Sequence, residues 1–229
     1  MATEKMSFLD ELTNIKERSL FQESCGLFEE ILDGLNAKGL LRKTMIKMDV
    51  DRLAKIWENS RLFGLSFNKM VDKFKPPEVA ESAKKSKEEQ FALGYSFYSQ
   101  LVGTALYYFE AVLKTSFVFV LEEYTDKNNK VRIRKKMTLG ELLFDLKQMF
   151  PIEGKKLDDL LDVNLRNSIA HGTFWFEGDR VFLAQNSHLD EVEQLSLSQF
   201  WIRLRRINII SHAFIEILLK KAEKGYFKL

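Results

Sequence analysis

Apolar positions recur along most of this chain at three- and four-residue spacings, the period of a helix buried on one face. Between Ser7 and Leu35 they are Phe8, Leu12, Ile15, Leu20, Leu27, Phe28, Ile31 and Leu32. Ser7 suits the N-cap, and Asp10 and Glu11 fall in the first turn, where carboxylates meet the positive end of the helix dipole. Gly26 and Gly34 are candidate breaks, and Gly39 opens a connection. A second run spans Asp49 to Phe63 with Leu53, Ile56 and Trp57; Gly64 is expected to end it, and Leu65 to Phe74 can form a further short helix. Lys75-Pro76-Pro77 cannot continue a helix. Glu78 to Glu89 is rich in Lys, Glu, Ser and Ala and poor in large apolar groups. The expected division is therefore an N-terminal helical extension over residues 1–86 and a helical bundle over residues 87–229.

Glu88 to Tyr124 reads as one long helix, apolar on nearly every side and so central to the bundle or part of an oligomer interface. Its stretch from Gln90 to Phe109 has no charge and is long enough to span a bilayer. Two Gln, two Ser, a Thr and four Tyr within it, followed at once by Glu110 and Lys114, favour a buried core helix over a membrane span. Asp126 to Lys136 reads as a loop or ribbon around Asn128-Asn129. Thr138 to Phe150 is helical, with Thr138 and Glu141 at capping-box positions and Pro151 expected to stop it. Leu157 to His171 is the next helix, with Gly172 at its C′ position. Thr173 to Ala184 switches to strand character, and Gly178-Asp179 can turn a hairpin. The last helix runs from Leu195 to Tyr226, opening at Ser196 or Ser198 and ending near Gly225. The fold class is thus all-α, with a long central helix, one small β-hairpin and an N-terminal helical extension.

Composition changes this picture little. Hydrophobic residues at 45% and charged residues at 30% are ordinary for a water-soluble domain. Three Pro and eleven Gly disfavour a turn-rich fold. A net charge of +2 requires any nucleic-acid surface to be local. The single cysteine, Cys25, excludes an intramolecular disulfide and suits a reducing cytoplasm. The N-terminus lacks a basic stretch followed by an apolar one, so no signal peptide is expected.

Candidate chemistry concentrates in Leu165-Arg166-Asn167-Ser168-Ile169-Ala170-His171-Gly172, where Arg, a side-chain amide and His fall within six residues. At about 100° per residue, Leu161, Leu165 and Ile169 form an apolar stripe, and Asn167 and His171 share a different face. Arg166 lies beyond that stripe from His171, but its long stem can lean round. In a dimer, two such faces can meet and pool one site.

The Arg-Asn-x-x-x-His spacing resembles the Arg-x(4–6)-His pattern of the HEPN (higher eukaryotes and prokaryotes nucleotide-binding) domains, which also favour a polar residue directly after the Arg. The resemblance covers roughly Lys87 to Lys221; the first 86 residues match nothing comparable. It implies a small helical domain, a composite cleft built by a homodimer, and metal-independent RNA cleavage in toxin–antitoxin or phage-defence systems, without a cofactor. The residue types suit that chemistry. His171 can exchange protons near neutral pH, Arg166 can hold a phosphate through paired N–H donors, and Asn167 can orient His171 or bond the phosphate. Partners would be RNA, a second copy, and an antitoxin or regulatory protein. In some members a Tyr two positions after the His is modified by the partner; here that position is Thr173, which leaves such silencing without its target. The competing readings are a non-catalytic HEPN-like dimerisation or RNA- or nucleotide-binding module, or an Arg166 that simply pairs with an acid while His171 packs at the helix end.

Other candidates are weaker. Arg132 and Arg134, with Lys127, Lys130, Lys135 and Lys136, form a basic segment that can follow an RNA backbone or merely be solvated. Arg203 and Arg206 share a helix face and can line a cleft or pair with acids such as Asp162. His188 and His212 lack companion ligands, so no metal site is expected. Phe174, Trp175 and Phe176 can stack on bases, but packing of the hairpin on the bundle explains them more simply.

Overall fold

The computed structural model describes residues 8–12, 14–44, 47–73, 103–125, 131–133, 137–177, 180–184 and 191–227. The chain is mainly α-helical with a small three-stranded sheet. In order it forms α1 (Phe8–Glu11), α2 (Ile15–Ala37), α3 (Lys47–Lys73) and α4 (residues 103–120). There follow β1 (Tyr124–Thr125), β2 (Val131–Ile133), α5 (Leu139–Met149), α6 (Pro151–Leu160) and α7 (Val163–Ala170). The chain closes with β3 (Phe174–Glu177), β4 (Arg180–Ala184), β5 (Val192–Ser196) and α8 (Leu197–Glu223).

The spine is α2 lying along α8. Arg205 Nη2 donates to Glu17 Oε2 at 3.0 Å, Cys25 Sγ stands 3.9 Å from the Ala213 carbonyl oxygen, and Lys221 pairs with Asp33. Each pair is separated by the same 188 residues. A constant offset means that the two helices run parallel and in register, over roughly 24 Å at 1.5 Å per residue. α4 closes the third side. Phe117 stacks on Phe214 at 4.3 Å between ring centroids, and Phe28 meets Phe214 at 4.9 Å, so three helices share one aromatic centre. α3 is fastened outside α4 by Trp57 Nε1 to Ser116 Oγ at 3.0 Å and Tyr107 Oη to the Ile56 carbonyl at 2.8 Å.

Several expected boundaries move. Ser7 lies outside the described residues, and the helix expected from it is two helices, because Asn14 caps α2 by accepting from Lys16 N at 2.9 Å. Gly26 and Gly34 do not break α2; a Cβ on Gly34 would fall 2.5 Å from the Phe150 ring, so this glycine makes room for packing. Gly64 does not end α3, since one mid-helix glycine costs only about 1 kcal/mol. Pro151 ends α5 but also opens α6, where its missing N–H needs no partner. The central helix is π-helical over Tyr107–Thr115 and ends at Val120, where Leu121 turns extended and bridges to Leu41. Its expected beginning, residues 88–102, lies outside the described residues, as do Lys75-Pro76-Pro77 and the boundary at 86/87.

The hairpin forms in the expected place, Phe174 opposite Leu183 and Glu177 opposite Arg180. A third strand, β5, was not expected; it pairs antiparallel with β4 and puts Val181 opposite Leu195 on the core side. Trp175 does not pack on the bundle. It stacks on Phe182 at 5.1 Å on the outer face, because alternation sends it away from Val181 and Leu183. The side chain of Phe176 lies outside the described residues. No helix among the described residues is long and apolar enough to cross a membrane.

Candidate functional site

The helix expected over Leu157–His171 is interrupted. Asp162 adopts a left-handed backbone (φ 32°), and its Oδ1 accepts from Leu165 N at 3.2 Å, so it caps a separate short helix, α7. Two arrangements hold that helix. Leu161, Leu165 and Ile169 are buried as the expected stripe. Ser168 Oγ donates to the Ala184 carbonyl at 2.9 Å, tying α7 to β4.

Arg166 leaves the buried face toward α4. Its Nε donates to Glu110 Oε1 at 3.0 Å, Nη2 donates to the same oxygen, and Nη1 donates to Asn167 Oδ1 at 3.0 Å. Lys114, one turn beyond Glu110, pairs with the other carboxylate oxygen. Burial by itself pushes the Glu110 carboxyl up. The hydrogen bonds from Lys114 and Arg166 outweigh burial and hold it below the ordinary carboxylate value. Two cations on one carboxylate leave the cluster with one net positive charge. A guanidinium has five N–H donors; with three engaged, one remains on each terminal nitrogen.

His171 sits at the C-cap of α7, exposed, its backbone N–H bonded to the Asn167 carbonyl at 2.9 Å. Gly172 follows with φ 66°, a backbone that allows Thr173 N to reach the Ser168 carbonyl at 2.9 Å and turn the chain into β3. Asn167 stands one turn before His171. The guanidinium thus bonds the side chain of its sequence neighbour Asn167 as well as Glu110.

The arginines of α8 are placed differently. Arg203 is taken by acids: its Nη1 donates to Glu193 at 3.0 Å and lies 3.4 Å from Asp162 Oδ2. Hydrogen bonding to Glu193 raises its already high pKa against the cost of burial. It therefore braces β5 and the cap of α7, the pairing alternative. Arg206 is exposed and makes no ion pair with a described residue. Arg132 lies on β2, its side chain outside the description, and Arg134 lies outside the described residues. His188 is also outside them, while His212 is buried against Phe8 at 4.0 Å between ring centroids. No group of three His, Cys, Asp or Glu among the described residues could hold a metal ion.

Glu110, Lys114 and Glu193 were not expected at the site. A signal for the first two existed: they are the only charged residues between Gln90 and Leu121. What could not be read was the partner, 56 residues away. No protein-family model, curated protein or solved structure matches the chain.

Proposed function

We propose that this chain is a HEPN-type, metal-independent endoribonuclease acting as a homodimer in a toxin–antitoxin or phage-defence setting. The observation that carries the reading is the pairing of a braced guanidinium with an exposed imidazole on one short helix. Arg166 is held by Glu110 and Asn167, yet keeps a donor on each terminal nitrogen for a phosphate. His171 stands in solvent at the end of the same helix.

In this reading the 2′-OH attacks the adjacent phosphorus and gives its proton to one His171. The P–O5′ bond breaks, and the His171 of the second copy protonates the leaving O5′. Arg166 stabilises charge on the non-bridging oxygens. The products are a 2′,3′-cyclic phosphate and a 5′-OH. Glu110 and Lys114 position Arg166. A second reading, a non-catalytic HEPN-like dimerisation or nucleotide-binding module, is favoured by the three Arg166 nitrogens already engaged, which an ion pair serving only the fold also explains.

The test is cleavage of total RNA in the presence of a chelator by the parent and by His171→Ala. Loss of 2′,3′-cyclic phosphate ends in the variant, with unchanged thermal stability, is the expected result. A dimeric parent that leaves RNA intact would move the assignment to the binding module.

A further inference from the structure

α4 is not an α-helix throughout. Over Tyr107–Thr115 it is π-helical, the register in which an N–H meets the carbonyl five residues back rather than four. Such helices are rare and mostly last a single turn, so nine residues in this register need neighbours that hold them. The neighbour is α3. Tyr107 Oη donates to the Ile56 carbonyl at 2.8 Å and Tyr108 Oη to the Ser60 carbonyl at 3.0 Å, at the start of the segment. Trp57 Nε1 donates to Ser116 Oγ at 3.0 Å, just past its end. α3 is thus fastened to both ends of the segment, and the spacing of these three bonds fixes its register. Between the fastenings lies Glu110, the acid of Arg166. The Thr115 hydroxyl donates to the Glu110 carbonyl at 2.7 Å, itself a contact across five residues.

We infer that α3 is a splint and the π segment a two-state switch. While α3 is docked, the π register turns Glu110 to Arg166; when α3 lifts, the segment relaxes to an α-helix and releases the guanidinium. The geometry supplies the three parts such a switch needs. The first is a discrete alternative. Moving the hydrogen bonds from five residues to four turns one end of the helix against the other by roughly 100° for each residue of register. The second is a fixed end. Just beyond the segment, Phe117 is stacked on Phe214 at 4.3 Å between ring centroids, so the turn falls on the end that carries Tyr107 and Glu110. The third is room. An open pocket of about 470 Å³ lies beside Thr115, Val118, Phe119 and Lys114, the lysine that pairs with Glu110. Coupling of this kind is reciprocal: loosening α3 frees Arg166, and breaking the Arg166–Glu110 pair loosens α3. Both states are defined by contacts within this chain, so the switch stands whether or not the chain cuts RNA.

The test uses nuclear magnetic resonance on the full chain, without RNA. Couplings across backbone hydrogen bonds show which carbonyl each N–H of residues 112–115 meets. In the parent it should be the one five residues back. The double variant Tyr107→Phe, Tyr108→Phe keeps both rings and removes two of the three bonds to α3. In it the couplings should move to the carbonyl four residues back. Exchange of the Arg166 Nε–H with solvent should quicken by about 5- to 150-fold, the usual range for coupled sites. Arg166→Met tests the reverse direction: exchange of the Trp57 indole N–H should quicken by a factor in the same range. Lys221→Met is the control. It loosens the α2–α8 spine at Asp33 and Glu29, away from α3 and α4, and should leave the couplings and both N–H groups as in the parent. Should the double variant not fold, Tyr107→Phe alone reads the same signals. Three results overturn the inference: four-residue couplings in the parent, five-residue couplings kept in the folded tyrosine variants, or an Arg166 Nε–H that moves no more there than in Lys221→Met. A Trp57 indole unmoved by Arg166→Met overturns it as well. Because no RNA is present, failure here leaves the ribonuclease reading standing, and a chain that leaves RNA intact does not touch the switch.

Discussion

Two of the cation–acid clusters in this bundle differ in their access to solvent, and that difference separates their roles. On the α2–α8 spine, Lys221 is 2% exposed, paired with Asp33 and Glu29, and lies 4.7 Å from the centre of the Tyr226 ring. On α7, Arg166 is 18% exposed, and its acid, Glu110, is 28% exposed. Lys221 has no room for another molecule. Arg166 keeps donors to spare, an exposed imidazole follows it on the same helix, and its acid shares Lys114 with an open pocket. Closure makes the first cluster a clamp between helices, whereas access makes the second a candidate for chemistry.

The sharpest way to break this comparison is to truncate each cation. On the ribonuclease reading, Arg166→Ala should slow RNA cleavage by about 100- to 1,000-fold, the usual cost of a lost transition-state donor. It should lower stability by only about 1 kcal/mol, because the pair is partly solvated. Urea melts alongside cleavage assays check this; a variant that cuts at the parental rate removes Arg166 from the chemistry.

A buried group without a partner on the same spine sharpens the contrast. His212 is packed between Phe8 and Tyr108, its Nε2 unpaired, and burial pushes its pKa from 6.5 down to about 4. The unfolded chain takes up this proton near pH 6.5 and the folded chain only near pH 4. Stability should therefore fall as pH drops through that interval, by about 3 kcal/mol in all. Melts of the parent and of His212→Phe isolate the effect. Glu29, Asp33 and Glu110 have depressed pKa values, so they lose stability at the acid end in both proteins. Equal acid sensitivity in the two would show that His212 is not held neutral by burial.

The smallest expected effect belongs to the clamp. Lys221→Ala should destabilise by about 2 kcal/mol, less than a fully buried broken pair, because Asp33 is 47% exposed and can regain water. Lys221→Met, which keeps the stem, should lose about half as much. Neither should alter RNA cleavage; a large activity loss in either would erase the distinction between the clusters.

The local parts of this architecture were legible because neighbouring residues decide them. Thr138 with Glu141 caps α5, Ser196, one of the two serines expected to open α8, caps it, and Gly172 closes the motif helix, each a contact within a few residues. The stripe of Leu161, Leu165 and Ile169 follows from helical period alone and is buried as read. The break at Asp162 was not legible, since continuous apolar spacing runs across it and the left-handed residue is held by Arg203 from α8. β5 was hidden for a similar reason: Val192–Ser196 becomes a strand only where β4 offers an edge.

Taken alone, the sequence determined most of the helical segments, which of their faces are apolar, and that Arg166, Asn167 and His171 fall within six residues at the end of a helix. Those properties depend on spacing within a turn or two. Tertiary structure alone decided that Arg166 meets Glu110, that α2 and α8 run parallel at a constant offset, and that His171 stays in solvent while His212 does not. Each of these depends on which distant surfaces pack together, and many different packings can satisfy the same local pattern of apolar and polar positions.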